Sequence, residues 1–117
     1  MITLKETKQK MFTDSQWWKL YFYDFVDEFR RHRDWQMIVE PFELSDEKTD
    51  ALLASTVEYL CDELNIEPPK WLDEIPPSRE PYFVSGIENL KATAIVESPL
   101  RFRIRKVFVS EDFLSRV

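Results

Sequence analysis

A chain that reverses direction in tight two-residue turns needs residues that tolerate positive φ, and this one holds a single glycine, Gly86, in 117 residues. All-β folds are built on such turns and draw on glycine for them. The chain is therefore expected to be mainly α. Proline adds a second constraint. Pro68, Pro69, Pro76, Pro77 and Pro81 all fall between 65 and 82. Each removes a backbone donor and fixes φ, so this stretch reads as an irregular connector. With 44% apolar residues the chain has material for one modest core. The expected architecture is a single domain over 1–117, a small helical domain of about four helices. It has the proline-rich connector and a short extended segment near the C-terminus.

The first helix is expected at 14–33. Thr13 and Gln16 have capping-box spacing, and Asp14 adds negative charge to the first turn. At 100° per residue Trp18, Phe22, Phe25 and Phe29 fall on one stripe, flanked by Tyr21 and Val26. Arg30, Arg31 and Arg33 suit the negative end of the helix dipole. Trp17, Leu20 and Tyr23 do not fit the stripe and project toward the opposite, charged side. Either the N-terminal arm or the C-terminal tail covers them, or they form a surface for a partner.

The second helix follows Ser45 as N-cap, with Asp46 and Glu47 in its first turn. Leu53, Val57, Leu60 and Leu64 make its apolar stripe, and Asn65 suits a left-handed C-cap. Cys61 flanks the stripe as a small hydrophobe. Glu58 and Asp62 lie four apart on one face, a spacing compatible with a metal. With no histidine beside them, a solvated face is expected.

Further on, Ser85 and Glu88 again have capping-box spacing, ahead of a helix expected from Gly86 to Glu97. Thr93, Ile95 and Val96 are β-branched, so KATAIV also reads as a strand. Ser98 and Pro99 start a short helix as N-cap and N1, followed by extended KVFV; the alternation of Leu100, Phe102 and Ile104 is the competing strand signal. Ser110 is expected to cap a last short helix through Leu114.

Charge is unevenly placed. Residues 1–12 carry +2, residues 91–117 carry +3, and residues 13–90 carry −11, for a net −6. The basic ends are expected to pack near the acidic middle. Basic and aromatic side chains do interleave at Arg101, Phe102, Arg103, Arg105 and Lys106, a pattern that can grip single-stranded nucleic acid. A chain this acidic is nevertheless a poor ligand for polyanions. No apolar run nears the ~18 residues of a membrane span. MITLKETKQKMF lacks the apolar core of a signal peptide, and one cysteine makes no internal disulfide. A cytoplasmic location is expected.

Catalytic templates do not fit. His32-Arg33-Asp34 opens like a kinase catalytic loop, but the position of its asparagine is Val39. His32 is the only histidine, and Cys61 lies on another expected helix. There is no phosphate-binding glycine loop, metal-ligand cluster or nucleophile elbow. A non-enzyme without cofactor or metal is expected.

DFVDEFRR (24–31), DALLASTVEYLCDELNIEPPKWL (50–72) and LKATAIVESPLRFRIRKVFVSEDFLSRV (90–117) together resemble a family of small prokaryotic proteins. The resemblance rests most on the last block, with its VESP, basic-aromatic run and VFVS. In that family the region often follows a helix-turn-helix domain and is found beside nucleotidyltransferase-like proteins, in pairs regarded as toxin–antitoxin modules. The resemblance implies an antitoxin-like or accessory partner. This chain is expected to carry no helix-turn-helix unit, because its first expected helix begins at residue 14.

The expected function is thus a protein-interaction module. Its partner is another protein or a second copy of the chain. The expected surface is Trp17, Leu20 and Tyr23 with Arg101, Arg103, Arg105 and Lys106, residues of the types enriched at interface hot spots. The alternative is a nucleic-acid-binding module acting through 101–106.

Overall fold

The computed structural model describes residues 1–115, and the architecture is mainly α. Arg116 and Val117, the end of the third block of the resemblance, lie outside the described residues. The α-helices are α1 (Leu4–Thr13), α2 (Trp18–His32), α3 (Glu47–Leu64), α4 (Lys91–Glu97) and α5 (Leu100–Arg103). Two short strands, β1 (Tyr82–Phe83) and β2 (Val107–Phe108), pair in parallel.

Helix α1 was not expected. Thr3 caps it, its Oγ1 accepting from the Glu6 N–H at 3.2 Å. Leu4 and Met11 enter the core, and α1 lies along α2. Lys8 is buried with them. Its Nζ sits 2.6 Å from Asp50 and donates to the Glu43 carbonyl at 2.6 Å. The other Asp50 oxygen accepts from the Ser45 N–H, so Ser45 is tied from outside the helix and Asp46 takes the N-cap position.

Helix α2 begins at Trp18, four residues later than expected. Thr13 does not cap it. Thr13 closes α1, donating its hydroxyl to the Gln9 carbonyl, and a 3₁₀ turn at Ser15–Trp17 makes the link. The expected stripe holds: Phe22, Phe25, Val26 and Phe29 are buried, with Trp18 and Tyr21 half-buried against them. In α3 the stripe widens to nearly the whole circumference. Every residue from Asp50 to Glu58 is buried, and small side chains at Ala51, Ala54 and Ser55 let neighbours approach closely. Helix α5 lies along α3, while α2 and β2 add further contacts. Asn65 ends α3 in the left-handed conformation as expected, at φ 56°.

KATAIV is helical, but α4 is shorter than expected. A 3₁₀ turn at Glu88–Leu90 precedes it, and Ser85 accepts from the Ile87 N–H in a turn where Gly86 has φ 68°. Ser98 does not cap α5. It closes α4, and its Oγ accepts the Val109 N–H at 2.8 Å, so a hydroxyl replaces a ladder partner beside β2. Of the extended KVFV expected, Val107–Phe108 forms β2, while Lys106 lies in the preceding turn; β1, at the end of the proline-rich connector, is the partner of β2. After Ser110 the chain forms a turn where a helix was expected. Ser110 donates to Asp112 at 2.7 Å, stabilising the turn.

Candidate functional site

The basic run divides by helical geometry. Arg101 and Arg105 are four apart, as are Glu58 and Asp62 on α3. The two pairs meet. Arg101 grips Asp62 with Nε at 2.8 Å and Nη2 at 3.0 Å, and reaches Glu58 with Nη1 at 3.5 Å. The hydrogen bonds and charge of Asp62 raise the Arg101 guanidinium above its ordinary value. Arg105 donates from Nη1 to Glu58, from Nη2 to the Leu72 carbonyl at 2.9 Å, and from Nε to the Ile75 carbonyl at 3.3 Å.

Two expectations are corrected here. Arg105, expected on a partner-facing surface, is only 6% exposed. Glu58, expected on a solvated face, is buried under both arginines. The physical reason lies in the connector. The Leu72 carbonyl there accepts the Ile75 N–H at 3.1 Å and has a second lone pair to offer, and the Ile75 carbonyl takes its donor from Arg105; a buried carbonyl needs a donor. A guanidinium supplies several donors in a fixed fork while neutralising the buried Glu58. Sequence reasoning weighed the arginines and the Glu58–Asp62 pair separately; their shared four-residue spacing was the signal that could have joined them.

Arg103 and Lys106 face outward and have no carboxylate partner among the described residues. Lys106 holds φ at 60°, a left-handed conformation in the turn between α5 and β2. Nearby in sequence, Leu100 and Ile104 are exposed at 65% and 56%. Val96 of α4 is exposed at 78%, and Ile95 and Leu90 are also open. These exposed apolar side chains were missed. Alternation drew attention to Leu100, Phe102 and Ile104 as one set, whereas the helix turns Phe102 inward and the other two outward.

The aromatic trio on α2 also divides. Tyr23 is covered by the tail, which corrects its place on an open surface. Its hydroxyl donates to the Phe113 carbonyl at 3.0 Å, and the two rings lie 5.8 Å apart. Phe113 also packs 5.6 Å from Phe22 and 6.3 Å from Phe102, so the tail joins α2 to α5. Arg30 fastens the same tail, donating to the Leu114 carbonyl while gripping Glu63 through two bonds of 2.9 Å. Trp17 and Leu20 stay uncovered, at 56% and 55% exposure.

Groups with reactive chemistry are engaged elsewhere. Burial, with Asp62 and Glu58 nearby, pushes the Cys61 thiol up to about 12, so it is protonated at neutral pH. His32 stands at the exposed end of α2, 2.9 Å from Glu28. An open groove of about 590 Å³ runs between α1 and residues 41–45, with Phe12 and Phe42 on its walls. Its lysines are occupied, Lys5 by Glu40 and Lys8 by Asp50. Among the described residues no three His, Cys, Asp or Glu side chains group to hold a metal, and no helix is long and apolar enough to cross a membrane.

No family model, curated protein sequence or solved structure matches the chain.

Proposed function

We propose that the protein is an interaction module, a small helical domain that acts by binding another protein and catalyses no reaction of its own. The observation that carries this reading is the exposure of Trp17, in the 3₁₀ turn that leads into α2, and of Leu20, three residues on in the first turn of the helix. A tryptophan and a leucine half open to water leave apolar area for a partner to bury, and tryptophan is among the residues that dominate interface energies. The resemblance of the three sequence blocks extends the reading to an antitoxin-like or accessory partner of a nucleotidyltransferase-like protein, acting in the cytoplasm. Nucleic acid stands second. With Arg101 and Arg105 paired internally, Arg103 and Lys106 are the cations left from the run, and two phosphate contacts give little affinity to a chain of net −6.

The test is co-purification at physiological salt from the native host, with the full chain tagged and the products of the flanking genes untagged. A neighbour recovered in stoichiometric amount, and lost with Trp17→Ala/Leu20→Ser, supports the reading. The double variant should still fold, because both side chains are largely solvated. A monomer with every neighbour in the flow-through overturns it.

A further inference from the structure

We propose that the C-terminal segment 110–115 is a displaceable internal ligand, and that its seat on α2 and α5 takes in its place a partner segment carrying an adjacent aromatic–aliphatic pair. The proposal rests on the interaction-module reading and names what the partner presents.

The segment is held as a bound peptide is held. Among the described residues its backbone–backbone hydrogen bonds are its own. The Phe113 N–H donates to the Ser110 carbonyl at 3.1 Å, and the Ser115 N–H to the Asp112 carbonyl at 3.0 Å. None ties 110–115 to the rest of the chain. Side chains of the body do the fastening. Tyr23 donates to the Phe113 carbonyl at 3.0 Å, Arg30 donates to the Leu114 carbonyl, and Glu97 accepts the Glu111 N–H at 3.1 Å. Tyr23 and Arg30 are seven apart on α2, two turns along one face. Glu63 sets Arg30 in place through two bonds of 2.9 Å. Contacts of this kind read the backbone of a short segment, while pockets read its side chains. Here the Phe113 ring lies 5.6 Å from Phe22, 5.8 Å from Tyr23 and 6.3 Å from Phe102, and Leu114 is buried beside it in sequence.

The seat continues past the tail. Leu20 precedes Tyr23 by three residues on the same helix, so the two are surface neighbours. Tyr23 lies against Phe113, whereas Leu20 is 55% exposed. The resident tail thus leaves apolar area open beside its own seat, and that selects the occupant. The tail of a second copy would repeat the resident contacts and add none, and the resident tail has the advantage of effective concentration. A segment of another protein that supplies the same pair, with one further apolar side chain over Leu20, buries what the tail leaves wet. Binding that segment releases the tail.

The probe is a phage-displayed library of random peptides, panned on the immobilised full chain. An enriched peptide is then titrated into the isotopically labelled full chain and followed by NMR. The enriched sequences should share an aromatic–aliphatic pair with a further apolar residue nearby. At saturation the amide signals of 111–115 should move to random-coil positions. Leu20→Ser, at an exposed position, should keep the circular dichroism spectrum and weaken the peptide about tenfold or more. No enrichment, enriched peptides without the pair, or an affinity indifferent to Leu20→Ser overturns the proposal. So does a peptide that binds while the signals of 111–115 stay where they were. That last result leaves the interaction module standing and removes the displaceable tail from it. No natural partner enters these measurements, so co-purification through Trp17 and Leu20 tests the module independently.

Discussion

Arg105 and Arg103 are two residues apart and have opposite fates, which sequence spacing alone does not decide. Arg105 is enclosed by Glu58 and two connector carbonyls; Arg103 meets water. A buried ion pair offsets its desolvation cost only when its remaining donors and acceptors are satisfied, and here the connector supplies those acceptors. Cys61 shows burial acting on a single group. Its folded pKa is raised from 9.0 to about 12, so the native state keeps a proton that the unfolded chain loses. That contribution to stability is fully present below pH 9.0 and is lost as pH rises toward about 12, because the native state binds more protons across that window. Urea titrations at several pH values should show the wild type losing stability across this range more steeply than Cys61→Ala. Parallel pH profiles for the two proteins would contradict the assignment.

Among the elements, α2, α3 and the short strand at Val107–Phe108 were legible because each has a strong local signature: the Phe22–Phe25–Phe29 stripe, Asn65 after an apolar run, and β-branched residues after a turn. Helix α1 was not, although its signal is plain in retrospect. Thr3 and Glu6 have capping-box spacing just as Thr13 and Gln16 do, and the second pair sits before the stronger apolar stripe. The structure uses the first. Replacing Thr3 by Ala should therefore cost about 1 kcal/mol by removing a cap, whereas Thr13→Ala should change stability by less than ~0.5 kcal/mol. Urea denaturation of the two variants measures the difference, and the reverse order would restore the capping role of Thr13. The parallel pairing of β1 with β2 and the tail turn were illegible for a different reason. Both depend on contacts between distant segments, Tyr82 with the end of the basic run and Phe113 with Tyr23, and no local periodicity records them. The low glycine count did limit tight turns as expected, yet the chain still adopts positive φ at Arg33, Asn65 and Lys106, where a helix or turn must end.

At the scale of the whole molecule, the uneven charge is resolved by folding the ends onto the middle. Lys5 reaches Glu40, Lys8 reaches Asp50, Arg101 reaches Asp62 and Arg105 reaches Glu58. Two of these pairs are buried and two lie nearer the surface, so their worth differs, exposed pairs contributing little. Of the basic run, Arg103 and Lys106 remain exposed with no carboxylate partner among the described residues, and the opening at Trp17 and Leu20 remains at the start of α2. The basic run is thus half scaffold and half surface, and the functional reading depends on that division. Chemical denaturation of two double variants tests it most directly. Arg101→Ala/Arg105→Ala should lose about 3–5 kcal/mol, mostly from stranding buried Glu58, while Arg103→Ala/Lys106→Ala should stay within ~0.5 kcal/mol of wild type. Equal losses from the two pairs, or the larger loss from Arg103 and Lys106, would contradict the account.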